Sequence, residues 1–277
     1  NLFKMTRAEK TTKNAIAAII SQCGFLILTF ITRYIMIKTI GIKSVSLNGL
    51  FTEVIAMLSL IELGVGSAIV YNLYKPLTEN DTKKLIQLMT LFKKAYRIIA
   101  IAIFLVGICL LPRIDLFVSK IDVSLNYLRF IYFLFLIRTV CSYLLAYKIS
   151  LINADQKAYI VSLSNILVKI FFTIIEIILL ILFHNFEIFL ILEILFTLSS
   201  NLVLSFIANK RYPFLKESDQ LPEIEQKNIF LNIKNIFITT ICTRITSSTD
   251  NILISILVGT IKVGVYSQYA MIINGIN

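Results

Sequence analysis

Charged side chains lie inside stretches apolar enough to cross a bilayer, among them Arg33, Glu53, Glu62, Arg138, Lys169, Glu176, Glu193, Arg244 and Asp250. A charge at the bilayer centre costs about 2.5–3.5 kcal/mol on insertion scales, so such residues look into protein or water and mark paths for ions or substrates. A guanidinium or ammonium held there suits a phosphate or carboxylate, and a carboxylate there suits Na+ or a proton. Wound as a helix, Gln22, Thr29 and Arg33 share a face, because spacings of seven and eleven return to within about 20° of the start. Thr239, Thr243, Thr246 and Asp250 line one face by the same arithmetic, and Lys169 and Glu176 share another. Arg33, Arg138, Lys169 and Gln22 are therefore the candidate substrate-binding residues, for an anionic cargo in a wet cavity. Asp250 and Glu62 are the candidates for ion coupling. Plainer roles stay open: Arg33 and Glu53 can snorkel to the outer surface, Glu62 can pair with a neighbouring helix, and Asp250 can form an interhelical salt bridge.

Covalent chemistry finds little to work with. His184, the only histidine, stands in a predicted turn without a partner. Cys23, Cys109, Cys141 and Cys242 lie far apart in apolar runs without metal-ligand spacing and read as small buried residues. Gly64-x-Gly66-Ser67-Ala68 is not a phosphate loop, since no strand precedes it and no Gly-Lys-Ser/Thr follows. The expectation is a non-enzyme with no catalytic residue, no metal and no cofactor.

The elements that must position these residues are membrane helices. The chain is 57% hydrophobic and only 16% charged, with a mean hydropathy of +0.84, which places it among all-α polytopic membrane proteins. Spans are expected at about 14–38, 48–71, 95–112, 125–148, 160–183, 187–208 and 232–258, with another opening at Val265. The net charge of +11 comes from basic residues between spans, so membrane topology explains it without nucleic acid. Lys4, Arg7, Lys10 and Lys13, then Lys75 to Arg97, Lys148 and Lys157, and Lys210 to Lys234 fall on alternate connections, which puts the N-terminus in the cytoplasm. Asn80-Asp81-Thr82 is set to cap a short amphipathic helix from Lys83 to Phe92 along the inner interface. Residues 1–209 read as an N-terminal lobe of six helices, 210–231 as a cytoplasmic linker, and 232–277 as the start of a second lobe. The halves echo each other: Thr32-Arg33-Tyr34-Ile35 matches Thr249-Asp250-Asn251-Ile252, and each is followed by a glycine (Gly41, Gly259) and a lysine (Lys43, Lys262). Internal repeats in a membrane chain point to transporters, with the working site where the repeats meet. A start at Asn1 and an end inside an apolar run read as a fragment.

The segment Ile61 to Leu77, IELGVGSAIVYNLYKPL, followed by Asp81 and Lys83, resembles the O-antigen-type polysaccharide biosynthesis flippases of the multidrug/oligosaccharidyl-lipid/polysaccharide exporter superfamily. Arg33 with Gly41, the Asn153-to-Lys157 turn, Tyr212-Pro213, and Thr249-Asp250-Asn251 leading to Val263-Gly264-Val265-Tyr266 add to the resemblance, which spans the chain. It implies a MATE-like architecture, two six-helix lobes about a pseudo-two-fold axis with a central cavity, in a bacterial cytoplasmic membrane. It also implies a cargo, an undecaprenyl-pyrophosphate-linked oligosaccharide, with membrane lipid and Na+ or H+ as further partners. Arg33, with Arg138 and Lys169, would neutralise phosphate while the lipid tail stays in the bilayer and the lobes rock. The alternatives are a multidrug or metabolite antiporter of the same architecture, which an acidic cavity would favour, and a polysaccharide polymerase or ligase, which would need a large external loop.

Overall fold

A computed structural model of the chain describes residues 7–58, 65–118, 123–227, 229, 231 and 253–276. All secondary structure among these residues is helical. The elements are α1 (Arg7–Leu58), α2 (Val65–Glu79), α3 (Thr82–Leu110), α4 (Leu125–Tyr143), α5 (Ala146–Ala154), α6 (Ala158–Phe183), α7 (Phe186–Arg211) and α8 (Thr260–Ile276). Among the described residues, five helical stretches are long and apolar enough to cross a membrane: Thr11–Leu58, Thr82–Phe117, Leu125–Tyr143, Ala158–Phe183 and Phe186–Arg211. Their outward faces are apolar, and their inward faces pack a largely apolar core that also holds polar and charged side chains. On α6, Leu167, Phe171, Ile174 and Ile178 are exposed, while Lys169, Thr173 and Glu176 are buried. Such a helix satisfies its backbone internally and offers hydrocarbon to lipid, so the chain is an all-α membrane protein.

The first expected spans are one element with a break in it. Gly41 takes φ 81°, ψ 168° in the middle of α1, a conformation open to glycine and closed to most L-residues. Ser267 sits beside both Arg33 and Gly49. On a straight helix these two lie about 24 Å apart at 1.5 Å per residue, so the chain reverses at Gly41. The second arm begins at once, earlier than residue 48. Position 71 falls inside α2, which runs on to Glu79 and carries Pro76. The first arm lies parallel to α6 at a constant offset: Asn14 donates to the Gln156 carbonyl (2.9 Å) and accepts from the Tyr159 amide (2.9 Å). Ten residues on, a Cβ on Gly24 would lie 2.9 Å from Ile166 Cδ1.

Gly259 has the same role as Gly41. It takes φ 130° and stands immediately before α8. The matched tetrapeptides differ in number by 217, whereas the two glycines differ by 218. A π turn at Ile254–Val258, closed by the Gly259 amide donating to the Ile254 carbonyl (2.9 Å), absorbs the extra residue. Beyond the glycines, equivalent positions touch each other. Ser46 meets Gly264, and Gly49 meets Ser267. Each pair sets a serine against a glycine, with the roles exchanged. The second arm of α1 and α8 thus pack side by side in the same direction, with positions 218 apart in sequence in contact.

Other expectations need correction. The amphipathic segment 83–92 is not a separate short helix; it is the first part of α3, a continuous run of 29 residues. At about 43 Å such a helix exceeds the ~30 Å hydrocarbon thickness, so its first turns stand outside. Asp81 does cap it, accepting from the Lys84 amide at 3.0 Å. The span expected at 125–148 stops at Tyr143, and α5 is a separate short helix. The span expected from Val265 starts at Thr260. Cys23 and Cys109 are exposed rather than buried, and both are free, as is Cys141; Cys242 lies outside the described residues. The linker is docked. Its Leu221 and Ile229 are buried, Asp219 accepts from Gln87 (2.8 Å), and Lys84 pairs with Glu225. The Gln87 and Gln220 hydrogen bonds hold the exposed Asp219 carboxyl below its ordinary range.

Candidate functional site

The polar faces of the bundle converge on a cavity of about 250 Å³. Thr29 and Arg33 reach it from the first arm of α1, Asn48 and Thr52 from the second, Arg138 from α4, Lys169 from α6 and Glu193 from α7. Three of the four residues expected to bind substrate therefore meet, although they lie 105 and 31 positions apart in sequence (33 to 138, 138 to 169). The fourth, Gln22, is exposed and does not line the cavity. It is one helical turn before Phe25, the first lining residue of α1, and its side chain falls past the rim. Glu62 and Asp250, with Arg244 and Thr239, Thr243 and Thr246, lie outside the described residues.

The three cations differ in how they are held. Arg138 Nη2 is 2.7 Å from Glu193 Oε2, and Lys169 Nζ is 2.5 Å from Glu193 Oε1. One carboxylate thus bridges two bases. Lys169 reaches back along its own helix to Glu176, 3.3 Å and 3.4 Å to the two carboxylate oxygens. Its ammonium also lies 4.9 Å from the centroid of the Phe196 ring, a cation–π contact. Lys169 and Glu193 are buried, and Glu176 is fully so at 0% exposure. Glu176 shares a face with Lys169 as the spacing requires, but it stands behind the cavity and does not line it. Arg33 meets no carboxylate among the described residues. Its Nη1 donates to the Ser267 carbonyl oxygen (3.0 Å) and hydroxyl oxygen (3.4 Å) on α8. Arg138, Lys169 and Glu193 leave one net positive charge in the lining, and Arg33 adds a second.

Three buried hydroxyls, Ser21 Oγ and Thr32 Oγ1 on α1 and Thr173 Oγ1 on α6, have no hydrogen-bond partner among the described residues. A second cavity of about 290 Å³ shares Thr52 and Arg138 with the first and continues past Thr139, Ser142 and Thr197 toward the C-terminal end of α4.

Glu193 is the centre of the site and was not among the expected site residues. Its signal is present in α7 as a stripe of Glu193, Thr197, Ser200, Asn201 and Ser205, with helical spacings of four, seven, eight and twelve. Each member is bonded inward or to its own helix. Thr197 donates to the Glu193 carbonyl (2.9 Å), Ser200 pairs with Asn165, Asn201 donates to the Cys141 carbonyl (3.0 Å), and Ser205 accepts from Lys148 (2.7 Å). A second feature seen only in the fold joins two motifs of the family resemblance. Asp155 of the α5–α6 turn accepts from the Tyr212 hydroxyl (2.7 Å) and pairs with Lys157, whose ammonium lies 5.7 Å from the Tyr212 ring centroid. Burial and the bond to Asp155 push the Tyr212 phenol well above its ordinary range, so it stays a donor.

No family model, no curated protein and no solved structure matches this chain.

Proposed function

We propose that the protein transports a lipid-linked oligosaccharide, carried on undecaprenyl pyrophosphate, across the bacterial cytoplasmic membrane. Residues 7–211 act as one lobe with a cytoplasmic N-terminus, and the helix after Gly259 belongs to a second. The observation that carries this reading is the convergence of Arg33, Arg138 and Lys169 from three helices on one cavity within the membrane-spanning bundle. A cavity with net positive lining favours an anion over a cationic drug, and a pyrophosphate diester supplies two charges for charge-assisted bonds. Arg33 is the base best placed to take the phosphate first, since its present acceptors, a carbonyl and a hydroxyl, carry no charge. Transport makes and breaks no covalent bond, in keeping with bases held as ion pairs rather than beside a nucleophile.

Replacing Arg33 with Ala, in cells that express the variant at the parent's level, is expected to cut movement of lipid-linked sugar by about tenfold or more, the scale of one lost charge-assisted hydrogen bond. Undiminished movement would reject Arg33 as a cargo ligand.

A further inference from the structure

The two carboxylates of the buried network share too few partners to survive the arrival of an anion. Glu193 is held by Arg138 and Lys169, and the only charged partner of Glu176 among the described residues is that same Lys169. The bases that line the adjoining cavity come from three elements. Arg33 comes from α1, Arg138 from α4, and Lys169 lies on α6 itself. On α5, Lys148 is committed to Ser205 and Asn209 (2.7 Å and 2.9 Å), three turns along α7 from Glu193. The four-residue network holds two positive and two negative charges and is neutral as it stands. Arg138 and Lys169 also line the cavity, so they are the groups that a bound phosphate would draw toward itself. If Lys169 moves away, Glu176, at 0% exposure, loses its charged partner; if Arg138 moves away, Glu176 and Glu193, at 0% and 6% exposure, are left to share Lys169 alone. An isolated buried carboxylate does not stay ionised; it takes up a proton.

We infer that the Glu176–Lys169–Glu193–Arg138 network is a proton-binding site linked to anion binding in the adjoining cavity, taking up one proton from solvent as an anion engages Lys169 and Arg138. This rests on the reading of the cavity as an anion site and goes beyond it by naming where the coupling proton sits. Coupled carboxylates titrate as a pair, so the proton belongs to the two together. The hydroxyl-lined cavity past Thr139, Ser142 and Thr197 gives the network a second polar approach beside the main cavity. Linkage is reciprocal: if the anion brings a proton, protonation must strengthen anion binding by the same factor. Neutralising either carboxylate leaves the network with one net positive charge, which an anion can meet without any proton.

The test is calorimetric titration of the purified protein with a short-chain isoprenyl pyrophosphate bearing one sugar, a diester whose charge is constant across the neutral range. Repeating it in buffers of different ionisation enthalpy counts the protons. The parent protein is expected to take up about one proton per anion, and its affinity to fall about tenfold per unit rise in pH. Glu176→Gln is expected to abolish the uptake, flatten the pH dependence and bind more tightly at the alkaline end. Glu193→Gln is expected to do the same and serves if Glu176→Gln does not fold. Binding without proton uptake in the parent overturns the linkage and leaves the anion site standing. Uptake that persists in the variants places the proton elsewhere and also overturns it. No binding at any pH overturns the anion site and the linkage together.

Discussion

Glu193 holds the site together, because two bases from two other helices end on its carboxylate. A buried ion pair is weak evidence of net stability, but removing one partner leaves the other charge stranded, at about 3–5 kcal/mol. Glu193→Ala is therefore expected to destabilise the protein by that amount, read as a fall in the thermal midpoint in detergent. A change below about 1 kcal/mol would mean that water, not Glu193, solvates Arg138 and Lys169. Arg33 belongs to a different class. It meets only uncharged oxygens of Ser267, so its replacement is expected to disturb transport more than folding. That contrast was not legible from residue types, since Arg33 and Arg138 look alike until their acceptors are known.

Among the elements, the second arm of α1 and α8 pack tightly through small residues. A Cβ on Gly264 would lie 2.2 Å from Ser46 Oγ and 3.3 Å from Ser46 Cα. The second of these contacts is to backbone and cannot be relieved by a rotamer change. Gly264→Ala is expected to cost about 1–3 kcal/mol, as overpacking does, and Ser46→Gly on top of it to restore most of the loss. Rescue measured by thermal unfolding would support the serine-against-glycine register; additive losses would contradict it. Gly41 and Gly259 make the pairing possible by turning the chain with positive φ immediately before each paired helix. In sequence the correspondence shows as matching tetrapeptides and glycines. Its one-residue mismatch became intelligible only with the π turn at Ile254–Val258, because an extra residue leaves no mark in sequence when a helix absorbs it.

At the scale of the whole molecule, α6 offers one face to lipid and packs the other into the bundle, where Lys169 reaches the cavity. Phe171 and Lys169 are two residues apart on α6 yet belong to opposite environments, the first exposed and the second buried. Phe171→Arg puts a charge against hydrocarbon near the middle of the span and is expected to lower membrane integration by the equivalent of about 2.5–3.5 kcal/mol. Alkaline extraction of membranes reads this directly, and full retention would mean that this face is covered by protein. At the basic end, Asn14, Gln156, Asp155 and Tyr212 tie α1, the α5–α6 turn and the end of α7 together. The docked linker closes against α3 there through Asp219 and Glu225.

Composition and periodicity by themselves determined that this chain folds as apolar helices, where α6 and α7 run to within a few residues, and that Lys169 and Glu176 share a face. These are local properties, settled by a hydrophobic run too long for anything but a span and by 100° per residue. Tertiary structure decided which polar groups meet. It brought Arg33, Arg138 and Lys169 to one cavity, left Gln22 outside its lining, made Glu193 the bridge and placed Glu176 behind it. Helical spacing sets the angle of a side chain on its own helix, but the depth and rotation of one helix against another come from packing at places such as Gly24 against Ile166 and Gly49 against Ser267.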